Sequence, residues 1–411
     1  MDSIKIKPTN LKGRVLIPPS KSLTHRAIIS ASLCNDGESL INNLVPSEDI
    51  KATIEGMKSL GAEIILSENE ASIYRNNSVG QNILIDCRES GTSLRFLIPV
   101  GLTLTDSLSF SGSKKLFERP LDVYYEIFKK QNIKYKTTDG CLVINGNLSP
   151  GSFEIPGNIS SQFISGLLFS LPLLEGDSKI LVTGNFESKA YVDLTVEVLN
   201  KFGIHIEKQD EKIFFIQGGQ HYKSCEYSVE GDYSQAAFFL VANELGHEVE
   251  CLGLNKASHQ GDKEIATIIK KFKDCNEIIV DASQIPDLIP IIAVLAALKE
   301  NHTTTIINAH RLRIKESDRL VAVSSEMNKL GALVKETKDG LIINGKASLD
   351  GGSRVNSWND HRIAMSLAVA ATRCKNDIIL EDYMAVNKSY PHFWNDYKSL
   401  GGVAIELNNR L

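Results

Sequence analysis

Met57-Lys-Ser-Leu-Gly-Ala-Glu-Ile-Ile65 joins the end of a helical pattern to the start of a strand through a single glycine. Glycine just past a helix suits the left-handed cap that lets a chain leave its last turn. The same grammar returns as Ile127-Phe-Lys-Lys-Gln-Asn132-Ile-Lys-Tyr, Val198-Leu-Asn-Lys-Phe-Gly203-Ile-His-Ile and, more weakly, Ile269-Lys-Lys-Phe-Lys-Asp274-Cys-Asn-Glu-Ile. It closes with Met327-Asn-Lys-Leu-Gly331-Ala-Leu-Val and Tyr397-Lys-Ser-Leu-Gly401-Gly-Val-Ala. The turn residues 61, 132, 203, 274, 331 and 401 stand 71, 71, 71, 57 and 70 residues apart. A period near 70 exceeds the usual solenoid repeats and predicts packed modules rather than a rod. Lys134-Tyr-Lys-Thr-Thr-Asp-Gly-Cys-Leu-Val-Ile and Val334-Lys-Glu-Thr-Lys-Asp-Gly-Leu-Ile-Ile carry Asp-Gly between alternating runs, a hairpin signal. The expected fold class is therefore α/β: six α+β repeats, each with strands and two helices. Two lobes of three repeats follow, with residues 1–14 and 229–411 as lobe one and 15–228 as lobe two. Strand Ile4–Lys7 then belongs with the second half of the chain, and the crossing lies near Gly13.

The 411 residues are enough for two cores, and 42% hydrophobic with 23% charged residues is ordinary for a globular chain. A net charge of −5 excludes a general nucleic-acid surface, so any cationic site must be local. The start lacks an apolar signal core, and the longest apolar run, around Ile289–Leu298, is too short to span a bilayer. Seven scattered cysteines without a C-x-x-C pair read as reduced thiols of a cytoplasmic protein. Nine histidines without H-x-x-x-H spacing give no protein-built metal site.

Against that background, Ile17-Pro-Pro-Ser-Lys-Ser-Leu-Thr-His-Arg26 is a helix start crowded with Lys21, Ser22, His25 and Arg26. Free N–H groups and the helix dipole favour an anion there, although a capped surface helix reads the same way in isolation. Arg88-Glu-Ser-Gly-Thr-Ser-Leu-Arg95 is a second such start, with Gly91 for close approach, Thr92 and Ser93 to cap, and Arg95 one turn in. Ser160-Ser161-Gln162-Phe is a third, for which plain capping is an equal explanation. Arg311-Leu-Arg-Ile-Lys315-Glu316-Ser-Asp318-Arg319 and Asn359-Asp-His-Arg362 repeat the pattern in the second half. Asp287 enters a very apolar helix, as its N-cap or as a catalytic carboxylate, while Lys388 stands alone in a loop. Five such helix starts, four of them bearing Lys or Arg, on an acidic chain imply one strongly cationic cleft for a multiply charged ligand pair. Such crowding also shifts the pKa of groups that move protons. No GxxxxGK[ST] loop is present, so a nucleoside triphosphate is not the expected ligand.

These stretches, with Glu118-Arg-Pro and Val229-Glu-Gly-Asp232, occur in one order that resembles the 5-enolpyruvylshikimate-3-phosphate synthase family over about residues 17 to 391. The resemblance implies a two-lobed inside-out α/β barrel of six βαβαββ units that closes on its ligands. It implies transfer of the enolpyruvyl group of phosphoenolpyruvate to the 5-hydroxyl of shikimate 3-phosphate, with loss of phosphate. The route is addition then elimination through a tetrahedral intermediate, without metal or other cofactor, as a step of aromatic amino-acid biosynthesis. The small-molecule substrates would be the partners of a cytoplasmic monomer that engages neither nucleic acid nor membrane.

By the same resemblance Asp287 receives the hydroxyl proton and Glu316 handles the methylene proton, each assisted by Lys21. Shikimate 3-phosphate falls to Lys21, Ser22, Arg26, Ser160, Ser161, Gln162, Ser188, Tyr191, Asp287 and Lys315. Phosphoenolpyruvate falls to Lys21, Gly91, Thr92, Lys115, Gln162, Arg319, Arg362 and Lys388, with Arg95 behind these contacts. Three positions depart from the pattern: Glu89 where Asn is common, Lys115 where Arg is usual, and Arg311 where Asn is frequent. Glu89 would need to turn away from phosphate or pair, for instance with Arg88, and Lys115 gives up a bidentate fork. The sister transferase acting on UDP-N-acetylglucosamine carries Lys-Asn near its start and a loop cysteine. This chain has Ser-Lys-Ser and no comparable cysteine. A non-catalytic anion-binding repeat protein would have no reason to keep both Asp287 and Glu316.

Overall fold

The computed structural model describes residues 2–407, apart from 77–78, 81–82 and 139. The chain forms two compact units, Met1–Pro18 with Gly231–Leu411 and Pro19–Glu230. These divisions lie a few residues beyond the expected 14/15 and 228/229. Strand Lys12–Leu16 runs parallel to Glu248–Leu252, with Val15 opposite Cys251, so Gly13 lies inside a strand of the first unit. At the other crossing Glu226–Ser228 runs parallel to Leu40–Asn42, and Val229 N–H still donates to the Asn42 carbonyl at 3.0 Å.

Pro19–Glu230 contains three four-stranded sheets of one design. In the second, Ile83–Asp86 runs parallel to Ser107–Ser111, which is antiparallel to Cys141–Asn145, itself antiparallel to Lys134–Thr138. In the third, Ser152–Pro156, Ser178–Thr183, Ile213–Ile216 and Glu207–Lys208 repeat that order. The first sheet takes its parallel edge strand from the far end of the unit, Glu226–Ser228, beside Ser39–Asn42, Glu70–Arg75 and Ala62–Ser67. Asp139 of the first predicted hairpin lies outside the described residues, but the strands on either side pair with Thr138 opposite Cys141.

The other unit uses the design twice, with Glu277–Asp281, Thr303–Ile307, Leu341–Asn344 and Leu333–Glu336, and with Arg354–Asn356, Ile378–Glu381, Ser3–Lys7 and Val403–Leu407. Its remaining sheet among the described residues has two strands, Lys12–Leu16 and Glu248–Leu252. The turn residues explain this difference. Gly61, Asn132, Gly203, Gly331 and Gly401 all have φ between +56° and +90°, the left-handed turn the sequence predicts. Helix Ile265–Asp274 instead ends in extended Cys275 and passes to strand Glu277–Asp281 with no hairpin between. The 57-residue spacing after Asp274 is the ordinary period shortened by that hairpin.

Helices divide by burial. Lys21–Ser32, Gly91–Leu104 and Ser161–Ser170 in one unit are buried around nearly their whole circumference. So are Tyr233–Glu244, Ile289–Ala297 and His361–Ala371 in the other. Five of the six are predominantly apolar, which places a helix in the interior, whereas Lys21–Ser32 also buries Thr24, His25, Arg26, Ser30 and Ser32. Helices such as Glu48–Ser59 and Lys189–Lys201 keep a lysine-bearing outer face. The buried helices have one consequence for a ligand: their backbone N–H groups are offered at their first turns. No helix among the described residues is long and apolar enough to cross a membrane.

Candidate active site

In the Pro19–Glu230 unit the three interior helices each begin on a serine. Ser20 accepts from Leu23 N–H at 3.5 Å, Ser90 from Ser93 N–H at 3.1 Å, and Ser160 from Gln162 N–H at 3.3 Å. Ser90 is therefore the cap where the sequence suggested Thr92 or Ser93. The Thr92 hydroxyl instead accepts from Gln162 Nε2 at 2.9 Å, tying the second helix start to the third. Gln162 Oε1 accepts in turn from Arg95 Nη1 at 2.9 Å, while Arg95 Nη2 donates to the Pro120 carbonyl at 3.0 Å. Arg95 thus braces Gln162.

Arg26 is fixed on every side. It donates to Thr195 Oγ1 at 2.8 Å, to the Ser22 carbonyl at 2.7 Å and to the Tyr191 carbonyl at 2.8 Å, and lies 5.2 Å from the Phe96 ring centroid. Burial lowers its pKa to about 10, which leaves it charged at neutral pH. Lys21 Nζ pairs with Asp49 at 2.8 Å. Ser188, just before helix Lys189–Lys201, holds φ +54°.

Lys115 does not reach Gly91. Its side chain is 61% exposed and pairs with Glu118 at 3.2 Å. The guanidinium over the Gly91 helix start belongs to Arg119, of Glu118-Arg-Pro. A Cβ on Gly91 would stand 2.4 Å from Arg119 Nη1. Arg119 is buried, and its Nε has no hydrogen-bond partner. The sequence signal was present in the motif, but the nearer lysine obscured it. Of the other departures, Glu89 adjoins Arg88, whose guanidinium donates to Glu48 at 2.5 Å, and Arg311 is buried and donates to the Ser283 carbonyl at 3.1 Å.

The other unit gathers its charges on one guanidinium. Arg319, 1% exposed, donates through Nε to Asp360 at 2.8 Å, through Nη1 to Asp287 at 2.8 Å and through Nη2 to Glu316 at 2.9 Å. Arg362 Nη2 reaches the second Asp287 oxygen at 2.8 Å and Ser234 Oγ at 3.2 Å. Asp318 caps helix Arg319–Lys329, and Asp360 caps His361–Ala371. Leu288, not Asp287, occupies the cap position of Ile289–Ala297, so the Asp287 carboxylate is left to the arginines. Burial pushes the Asp287 carboxyl up, but Arg362, Lys315 and Arg319 outweigh it and hold the group well below the usual carboxylate range. Burial lowers Lys315 to about 8, against the pull of Asp287.

A support that the sequence did not announce is Glu326. Its buried carboxylate accepts from Trp358 Nε1 at 2.9 Å and from Asn356 N–H at 3.0 Å. It anchors two consecutive left-handed residues, Trp358 and Asn359, immediately before Asp360. Lys388 Nζ donates to the Asn359 carbonyl. Non-glycine residues held at positive φ persist where surrounding bonds over-determine them. Among the described residues no group of His, Cys, Asp or Glu is arranged to hold a metal ion.

Three carboxylates, Asp287, Glu316 and Asp360, thus share the Arg319 guanidinium, near Lys315, whose pKa burial lowers to about 8. The fold is found in enolpyruvyl transferases. EPSP synthase from Acinetobacter baumannii superposes with a TM-score of 0.82 at 23% identity, over 99% of this chain and all of that one. The enolpyruvyl transferase NikO from Streptomyces tendae gives 0.81 at 16%, over 99% and 98%. This is the inside-out α/β barrel. The family EPSP synthase (3-phosphoshikimate 1-carboxyvinyltransferase) matches residues 5–397. The 3-phosphoshikimate 1-carboxyvinyltransferase of Clostridium novyi is 51% identical over 433 aligned residues, 99% of each chain. That of Clostridioides difficile is 48% identical over 436, again 99% of each. The chain belongs to the EPSP synthase family.

Proposed function

We infer that this chain transfers the enolpyruvyl group of phosphoenolpyruvate to the 5-hydroxyl of shikimate 3-phosphate and releases phosphate. The observation that carries the reading is the Asp287–Arg319–Glu316 cluster. It supplies an ionised carboxylate at neutral pH and a second carboxylate on the same guanidinium.

In this reading Asp287, with Lys21, takes the proton from the 5-hydroxyl as oxygen attacks C2 of phosphoenolpyruvate. Glu316, with Lys21, delivers a proton to the methylene carbon. Elimination then returns that proton from carbon and expels phosphate. Groups already fixed by hydrogen bonds stabilise developing charge without reorganising at the moment of reaction. Lys21, Ser22, Arg26, Ser160, Ser161, Gln162, Ser188, Tyr191, Asp287 and Lys315 hold shikimate 3-phosphate. Lys21, Gly91, Thr92, Gln162, Arg319, Arg362 and Lys388 hold phosphoenolpyruvate. Arg119 joins the second set in place of Lys115, because its guanidinium lies over the Gly91 helix start. The carboxylates on Arg319 and Arg362 stand where substrate anions compete for the same donors.

Seven free cysteines support a reducing compartment, and the enzyme is read as a cytoplasmic monomer. Sedimentation as a single chain checks the second half of that statement. Proton NMR of the mixture tests the reaction itself: new enol-ether vinyl signals appear with both substrates. Their absence with folded protein ends the reading.

A further inference from the structure

We propose that His25 is a positioning residue for phosphoenolpyruvate, fixing the Lys21 helix start against the Gly91 helix start through Thr53, Ser93 and Ser90. The inference rests on the reading that Lys21 and Gly91 serve that substrate. The imidazole is 1% exposed, and its Nδ1 lies 2.7 Å from Thr53 Oγ1. Thr53 Oγ1 lies 2.7 Å from Ser93 Oγ, and Ser93 Oγ lies 2.8 Å from Ser90 Oγ, the cap before Gly91. The chain of hydroxyls thus runs from helix Lys21–Ser32 across helix Glu48–Ser59 to helix Gly91–Leu104. Asp49, one turn before Thr53, holds Lys21 at 2.8 Å, and its carbonyl lies 3.4 Å from Ser93 Oγ. One face of helix Glu48–Ser59 therefore grips both helix starts.

The direction of the bonds follows from what is left over. His25 Nε2 is buried and has no hydrogen-bond partner. An orphaned N–H is rarer in folded proteins than an orphaned acceptor, so the proton belongs on Nδ1. Nδ1–H then donates to Thr53, Thr53 to Ser93 and Ser93 to Ser90. A protonated ring would leave an N–H buried beside Lys21 and Arg26, and burial and those cations hold its pKa well below the usual histidine value. The next residue turns the other way. Arg26 reaches Thr195 and the Tyr191 carbonyl on helix Lys189–Lys201, the side assigned to shikimate 3-phosphate. Adjacent residues thus brace different substrates, which a purely structural histidine would not predict.

The test compares His25→Asn, His25→Gln and His25→Leu in the full chain by steady-state kinetics with each substrate varied. An Asn amide places a donor where Nδ1 stands, Gln places one nearer Nε2, and Leu places none. Loss of one such bond is expected to raise KM for phosphoenolpyruvate about tenfold in Leu and Gln. KM for shikimate 3-phosphate, which draws on Lys21 but not on the Gly91 helix start, rises several-fold less, and Asn restores most of the loss. Ser93→Ala, which breaks the chain at its far end, gives the same selective rise should the Leu variant not fold. Equal behaviour of Asn, Gln and Leu overturns the proposal, as does a parallel rise in both KM values. A wild-type chain with no turnover removes the functional reading beneath it as well.

Discussion

Arg319 is buried with three carboxylates, Asp287, Glu316 and Asp360, around it, an arrangement whose members depend on one another. Removing one partner from a buried ion cluster costs more than the pair contributes, because a charge is stranded. Asp287→Ala is therefore expected to lower the thermal stability of the unliganded protein, and phosphoenolpyruvate to recover more of it than in wild type. The variant binds both substrates, and turnover falls by about two to four orders of magnitude. Near-normal turnover would remove Asp287 from proton transfer. Lys315 gives a pH signature. Its charge is present below about 8 and is lost as pH rises through that value. Affinity for shikimate 3-phosphate, followed by calorimetry, should fall above pH 8, and Lys315→Arg should flatten that fall.

At the scale of elements, the interior helices begin on the residues assigned to substrate, and small changes there are expected to separate binding from folding. Gly91→Ala puts a methyl group 2.4 Å from Arg119 Nη1, the far end of a flexible side chain. Folding is expected to survive, with KM for phosphoenolpyruvate raised and circular dichroism unchanged. An unchanged KM would detach Arg119 from that substrate. Asp318 caps its helix through Leu320 and Val321 N–H, so Asp318→Ala should cost about 1 kcal/mol, while Asn, also a good cap, costs less. Denaturant titration of the two variants checks this difference.

These elements also mark what the sequence could reveal. Helix–turn–strand periodicity exposed the modules, since the glycine or asparagine requirement at Gly61, Asn132, Gly203, Gly331 and Gly401 is local. The missing hairpin after Asp274 was recorded only as a shortened spacing. Capping serines and arginine-bearing helix starts were legible for the same local reason. Long-range partners were not. Asp287 meets Arg362 across 75 residues, His25 meets Thr53 across 28, and the choice between Lys115 and Arg119 depends on which side chain turns inward. Charge and spacing carry no information about that turn.

For the whole molecule, the chain is built as two units of shared sheet design. Their stability has its own pH dependence. His247 is buried, accepts from Leu11 N–H at 3.0 Å and lies 2.8 Å from Thr372 Oγ1. Burial, then Arg373, lowers its pKa from 6.5 to about 4. Between these values the unfolded chain binds a proton that the folded chain refuses. The stabilising contribution is complete above pH 6.5 and is lost as pH falls toward 4. His247→Gln is expected to weaken that acid sensitivity in urea titrations at pH 7 and pH 5.

The acceptor decides which enolpyruvyl transfer this chain carries out. Purified protein with phosphoenolpyruvate is offered shikimate 3-phosphate in one cell and UDP-N-acetylglucosamine in another, and phosphate release is followed in both. Continuous release is expected in the first and none above background in the second. Release in the second alone would assign the chain to the sister reaction, and silence in both would contradict enolpyruvyl transfer altogether.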